Sequence, residues 1–153
     1  MEIIDIDKKT FTEEEKKLTA RFTVFEKLVN ELQKRELPSE IVVSINRGIQ
    51  EINSFVGSNK EVMKHVRKKQ TEVLKLLEKE LKLVTQNHYR NLWLALGMSA
   101  FGIPFGVVFG ISLGNMAFIG IGIPIGMAIG IAVGTSMDKK AFEEKRQLDL
   151  EIK

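Results

Sequence analysis

From Asn91 to Met137 the chain runs 47 consecutive residues without a single Asp, Glu, Lys or Arg. All 43 formally charged side chains therefore fall in the other 106 residues, while ten of the 12 glycines fall inside the uncharged block. A helix rises about 1.5 Å per residue and a bilayer core is about 30 Å thick, so one crossing takes about 20 residues. The block is long enough for two crossings and a tight turn. The first is placed at about 92–113 and the second at about 118–137, with the turn near Gly114-Asn115, two residue types that tolerate the backbone angles of a helix stop. Helices are the expected spanning form, because lipid offers no partner to an unpaired backbone group. The competing reading, a glycine-rich core hairpin of a water-soluble protein, needs far fewer uncharged residues than the block contains.

The flanks of the block orient it. Lys79, Lys82 and Arg90 precede it, Lys139, Lys140, Lys145 and Arg146 follow it, and the 114–117 turn is uncharged. The positive-inside tendency then places both ends in the cytoplasm, giving a multi-pass protein of the cell inner membrane. Tyr89, Trp93 and Phe142 stand at depths that suit the aromatic belt of the interface. Met1–Asp7 is acidic and does not read as a secretory leader, so the first crossing is expected to act as its own insertion signal.

Inside the block the sequence repeats at an offset of 20. Gly102-Ile103-Pro104-Phe105-Gly106 through Gly114 aligns with Gly122-Ile123-Pro124-Ile125-Gly126 through Gly134, and seven of 13 positions are identical. Each copy places glycine at every fourth position: Gly102, Gly106, Gly110 and Gly114 in one, Gly122, Gly126, Gly130 and Gly134 in the other. Residues four apart share a helix face, so each crossing carries a stripe without side chains. Such stripes let helices approach closely where no hydrophobic drive exists to bring them together. They are read as helix-packing surfaces, either closing the hairpin alone or also building a homo-oligomer, and the second is favoured. Gly97, Ala100, Gly120, Ala128 and Ala132 add small surface beyond the stripes. Pro104 and Pro124 each remove a backbone donor and are expected to kink their helices, more as passive bends than as gating hinges.

With its two G-I-P-x-G-x-x-x-G-I-x-x-G units and its Met137-Asp138-Lys139-Lys140 exit, the segment from Leu92 to Lys140 resembles bacterial glycine-zipper two-transmembrane-hairpin proteins. The resemblance covers about a third of the chain and implies a membrane location and helix packing. A looser similarity to the rotor-ring subunits of ATP synthases fails at the decisive point. Those subunits carry an intramembrane carboxylate, and no acid lies between Arg90 and Asp138.

Residues 12–90 read as helices, after an N-terminal extension over 1–11. Thr12 and Glu15 form a capping-box pattern. Leu18, Phe22, Phe25, Val29 and Leu32 follow at coiled-coil spacing. Leu37-Pro38-Ser39 separates this helix from one with an Ile41, Ile45, Ile49, Ile52 and Val56 seam. Gly57 is read as the residue after that helix and Ser58 as the next N-cap. A third helix with Val62, Val66, Val73, Leu77, Leu81 and Val84 is expected to run unbroken into the first crossing. Short connections favour an antiparallel bundle within one chain over a coiled coil between chains. The tail over 138–153, with Ala141, Leu148 and Ile152, is expected to be a short amphipathic helix. The fold class expected is all-α: a small cytoplasmic helical bundle, then a transmembrane helical hairpin.

Chemistry is sparse. Cysteine is absent, which removes disulfides and thiolate sites. His65 and His88 are too far apart along one helix to share a metal, and no phosphate-binding glycine loop or nucleophile elbow occurs. No catalytic residue, cofactor or metal is expected, and the protein is not read as an enzyme. Lys64, Arg67, Lys68 and Lys69 invite a nucleic-acid reading, but residues 1–90 hold 18 basic against 15 acidic side chains and only five aromatics, so none is expected. The partners expected are the lipid bilayer, further copies of the chain and a cytoplasmic protein. The function expected is a self-associating membrane scaffold or adaptor, with an oligomeric channel or pore as the alternative.

Overall fold

The structure, a computed structural model, describes residues 2–7 and 16–152. The Thr12–Glu15 capping pattern lies outside the described residues. The described chain is all-helical. It comprises α1 (Lys16–Gln33), α2 (Ser39–Ser54), α3 (Asn59–Leu81), α4 (His88–Gly97), a π-helical turn (Met98–Gly102), α5 (Ile103–Ser112), a 3₁₀ turn (Met116–Phe118) and α6 (Ile119–Glu143). It divides into two compact units, one of residues 1–84 and 148–153, the other of residues 85–147.

In the first unit the apolar seams face inward. Phe25, Leu28, Leu32, Ile45, Ile49 and Leu77 are fully buried. Each such side chain contributes about 1.5–3 kcal/mol by leaving water, so this is an ordinary core. Ser58 and Glu61 start α3 with a reciprocal capping box: the Glu61 carboxylate accepts from the Ser58 N–H at 2.9 Å and from its hydroxyl at 2.7 Å. Two expectations fail nearby. Val56 is 93% exposed, because α2 stops at Ser54 and Phe55 turns extended. Gly57 does not take a left-handed conformation, which among the described glycines belongs to Gly114 alone.

Residues 2–7 of the N-terminal extension are bound along this unit. Ile3 and Ile6 are buried, and side-chain amides take up the backbone between them. Asn46 Oδ1 accepts the Ile4 N–H at 2.9 Å while its Nδ2 donates to the Glu2 carbonyl. Asn53 repeats the arrangement on Asp7 and Asp5, and Gln33 Nε2 donates to the Ile3 carbonyl. Two helical turns advance about 10.5 Å and three extended residues about 10 Å, so amides seven apart on α2 match backbone groups three apart.

The expected continuous rod from α3 onward is broken. Lys82 adopts φ 56° and Asn87 φ 58°, and the segment between them is non-helical. Leu83 and Val84 are buried, and the Val84 carbonyl accepts the Leu148 N–H at 2.8 Å. The expected C-terminal helix is realised only in its first residues, as the end of α6, and not beyond. Helix α6 ends at Glu143, Lys145 is left-handed, and Leu148 and Leu150 lie in the core of the first unit. There Asp149 donates its N–H to Glu31 Oε1 at 3.3 Å. Glu31 also pairs with Arg35 at 3.2 Å and Lys34 at 3.4 Å. Burial pushes the Glu31 carboxyl upward, but the Asp149 N–H, Arg35 and Lys34 outweigh it and hold the group below its ordinary value.

Candidate functional site: a glycine-packed helical hairpin

Two helical stretches of the second unit, His88–Ser112 and Met116–Glu143, are long and apolar enough to cross a membrane. At 1.5 Å per residue they measure about 37 and 42 Å. They fold back on each other through a turn in which Gly114 has φ 64° and the Asn115 side chain accepts the Ala117 N–H at 2.9 Å.

The faces that meet are made of glycine. Gly97, Gly102, Gly106 and Gly110 on one stretch and Gly122, Gly126, Gly130 and Gly134 on the other are all buried. A methyl group on Gly122 would collide with the Gly102 carbonyl, on Gly126 with the Gly97 carbonyl, on Gly130 with the Trp93 carbonyl and on Gly106 with the Ile119 carbonyl. On Gly134 it would fall 2.5 Å from the Arg90 Cα, and on Gly102 3.1 Å from the Ile123 Cα. Backbone therefore lies on backbone, an approach that any side chain forbids.

The first face differs by one member from the four-residue repeat. Gly114 leaves it for the turn, where an added methyl group would meet nothing within 4 Å, and Gly97 takes its place at the other end. Gly97 precedes Gly102 by five residues, not four, and a uniform α-helix would rotate it off the face. The π-helical turn Met98–Gly102 absorbs the extra residue, as its i→i+5 bonding allows: the Ile103 N–H donates to the Met98 carbonyl. The turn sits immediately before Pro104, whose ring would press on the Ala100 carbonyl in an uninterrupted α-helix. Pro124 lies inside α6, which runs through it.

Large side chains point the other way. Phe101, Ile103, Phe105, Val108, Ile111, Leu113, Ile121 and Ile123 are exposed, Ile111 at 68% and Val108 at 58%. The second unit is small inside and bulky outside.

At the charged end of the hairpin a carboxylate closes the structure. Helix α4 begins at left-handed Asn87 without a side-chain cap of its own. Asp138, buried on α6, accepts the Tyr89 N–H at 3.0 Å and the Arg90 N–H at 2.9 Å. Its charge also complements the positive end of α4. Sequence reasoning passed over Asp138; the available signal was an acid heading an otherwise basic exit, Asp138-Lys139-Lys140. Of the residues expected at interface depth, Tyr89 lies in the first turn of α4 with its ring edge-on to His88 at 5.0 Å, Trp93 is one turn further, and Phe142 is 69% exposed near the end of α6.

The histidines do not share a helix. His65 stacks on Phe55 with ring centroids 4.4 Å apart, and His88 opens α4. Among the described residues no group of three or more His, Asp or Glu gathers to hold a metal ion. No family model, curated protein or solved structure matches the chain.

Proposed function

We propose that this chain is an integral membrane protein of the inner membrane whose glycine-zipper hairpin anchors a cytoplasmic helical unit, with both termini cytoplasmic. The reading makes it a self-associating scaffold or adaptor that presents its soluble helices to a protein partner. One observation carries the membrane assignment: the second unit packs glycine backbone inside and turns Ile, Val and Phe outward. Water penalises that arrangement at about 25 cal/mol per Å² of exposed apolar surface, and lipid does not. The uncharged turn and the basic residues on both flanks support the orientation.

Self-association draws support from a surface that the hairpin leaves unused. Gly120, Pro124, Ala128, Ala132 and Ser136 recur every four residues along α6 and are all exposed. They lie two residues, about 200°, from the buried glycines, on the opposite side of the helix.

Carbonate extraction of membranes tests the anchor: the chain is expected in the pellet, and release into the supernatant overturns it. Cross-linking in native membranes tests assembly. Ala128→Leu with Ala132→Leu is expected to abolish the ladder of multimers while leaving the hairpin closed. An unchanged ladder removes this surface from the reading.

A further inference from the structure

Charge in the first unit is unevenly placed. Helix α3 carries seven Lys or Arg against four Glu, while the remaining described residues of that unit carry eight against ten. The excess gathers on one exposed face, where Lys64, Arg67, Lys68 and Lys75, with the single acid Glu72 among them, surround Thr71. Three of the acids of α3 have partners of their own. Glu61 serves the Ser58 cap, Glu72 pairs with Lys69 at 3.0 Å and Glu80 with Lys79 at 3.3 Å. Lys69 itself reaches across to Glu51 on α2 at 2.5 Å, which leaves it off the exposed face. Lys68 has only a long contact to Glu72, 3.9 Å. Among the described residues, Lys64, Arg67 and Lys75 enter no ion pair.

Exposed unpaired cations at helical spacing suit a surface of spaced negative charge. Nucleic acid and an anionic bilayer both present regularly repeated phosphate charge. Base stacking needs aromatic rings, and this face has none. The bilayer has an argument of connectivity: only six residues, Lys82 to Asn87, separate α3 from α4, a stretch of about 20 Å at most. Lys75 lies 13 residues before α4 begins at His88, and clusters of four to eight Lys or Arg on the cytoplasmic side of a crossing helix attract anionic headgroups.

We infer that the Lys64, Arg67, Lys68 and Lys75 face of α3 docks on the anionic phospholipid headgroups of the cytoplasmic leaflet, an inference that rests on the membrane reading above. Ammonium and guanidinium groups donate to the phosphodiester oxygens. The contact is electrostatic and weakens as salt screens it.

The chain has no cysteine, so one introduced at Thr71 is a unique labelling site. The full-length protein carrying T71C and a nitroxide is placed in nanodiscs of pure phosphatidylcholine or of phosphatidylcholine with about a third phosphatidylglycerol. Relaxation by a headgroup-anchored nickel chelate reports proximity to the bilayer. Enhancement is expected to rise several-fold in the anionic discs, to fall back in about 0.5 M salt, and to stay unchanged for a control label at Gln50. The triple variant K64E/K68E/K75E, altered only at exposed positions, should lose the rise while its circular dichroism stays native; K64Q/K68Q/K75Q should show an intermediate response. Equal enhancement in the two lipids overturns the proposal. So does a T71C label that answers to added RNA and not to lipid charge. A chain that stays out of the discs altogether fails the membrane reading itself, and the proposal with it.

Discussion

The two units solve the same problem, how to hold helices together, with opposite inventories. The first buries Phe25, Leu28, Ile45, Ile49 and Leu77 and shows charge to its surroundings. The second buries Gly102, Gly106, Gly122 and Gly126 and shows Ile103, Val108 and Ile111. In the first, association comes from removing large apolar surface from water. In the second that term vanishes if the surroundings are as apolar as the side chains, and contact between backbones must carry it. Size and burial are therefore coupled with opposite sign in the two halves of one chain.

Enlarging residues is the harshest way to test the contrast. Gly126→Leu drives a side chain into the Gly97 carbonyl and the Gly102 backbone. Overpacking against backbone is expected to cost the hairpin about 3 kcal/mol or more, whereas Gly120→Ala, with nothing within 4 Å, should be nearly silent. Trp93 is the sole tryptophan and its backbone touches Gly130, so its fluorescence during dodecyl sulfate titration reads both variants. Equal midpoints for the two would break the comparison.

Shrinking residues should reverse the ranking. Ile49→Ala in the first unit is expected to cost about 2–5 kcal/mol, seen as faster hydrogen exchange over residues 41–52. Ile111→Ala, at a 68% exposed position, should leave the Trp93 transition in place.

A smaller effect belongs to the carboxylate that ties the hairpin ends. Asp138→Ala leaves the Tyr89 and Arg90 N–H groups without their acceptor and is expected to cost about 1–3 kcal/mol. Asp138→Asn should recover part of it. The readout is exchange of the first-turn amides of α4, and unchanged protection there would show the cap to be dispensable.

The mildest test concerns pH and the first unit. Glu31 is held below its ordinary value of 4.5 in the folded chain. A carboxyl with a depressed folded pKa stabilises fully above the unfolded value and loses that contribution as pH falls through the folded one. Protection of the Asp149 amide is therefore expected to be constant near neutrality and to decline below about pH 4.5, and Glu31→Gln should flatten that decline.

The sequence was most readable where a single period governs. The apolar seams of α1 and α2 and the stop at Leu37-Pro38-Ser39 follow from spacing and backbone chemistry, as does the turn at Gly114-Asn115. Legibility fails where one side chain's role is set by a distant element. Lys82 carries no local signal for the break after α3, and Asn87, though tolerant of a left-handed backbone, does not place it; Leu83 and Val84 are buried there, with the Val84 carbonyl bonded to Leu148. Amide pairs such as Asn46 and Asn53 look like ordinary solvent-facing side chains until an extended segment lies across them. Asp138 lies 48 residues from Arg90, whose backbone it caps, and helix periodicity carries no information at that separation.

The π-helical turn before Pro104 has a consequence for how such a hairpin changes over time. It lets the first stretch hold one residue more than a four-residue glycine ladder permits, yet keep every rung in place. Deleting any one of Met98, Ser99, Ala100 or Phe101 would bring Gly97 to the plain α-helical interval before the next glycine. Loss of a single residue, ruinous in most close-packed helices, would here only turn the π-helical turn back into plain α-helix.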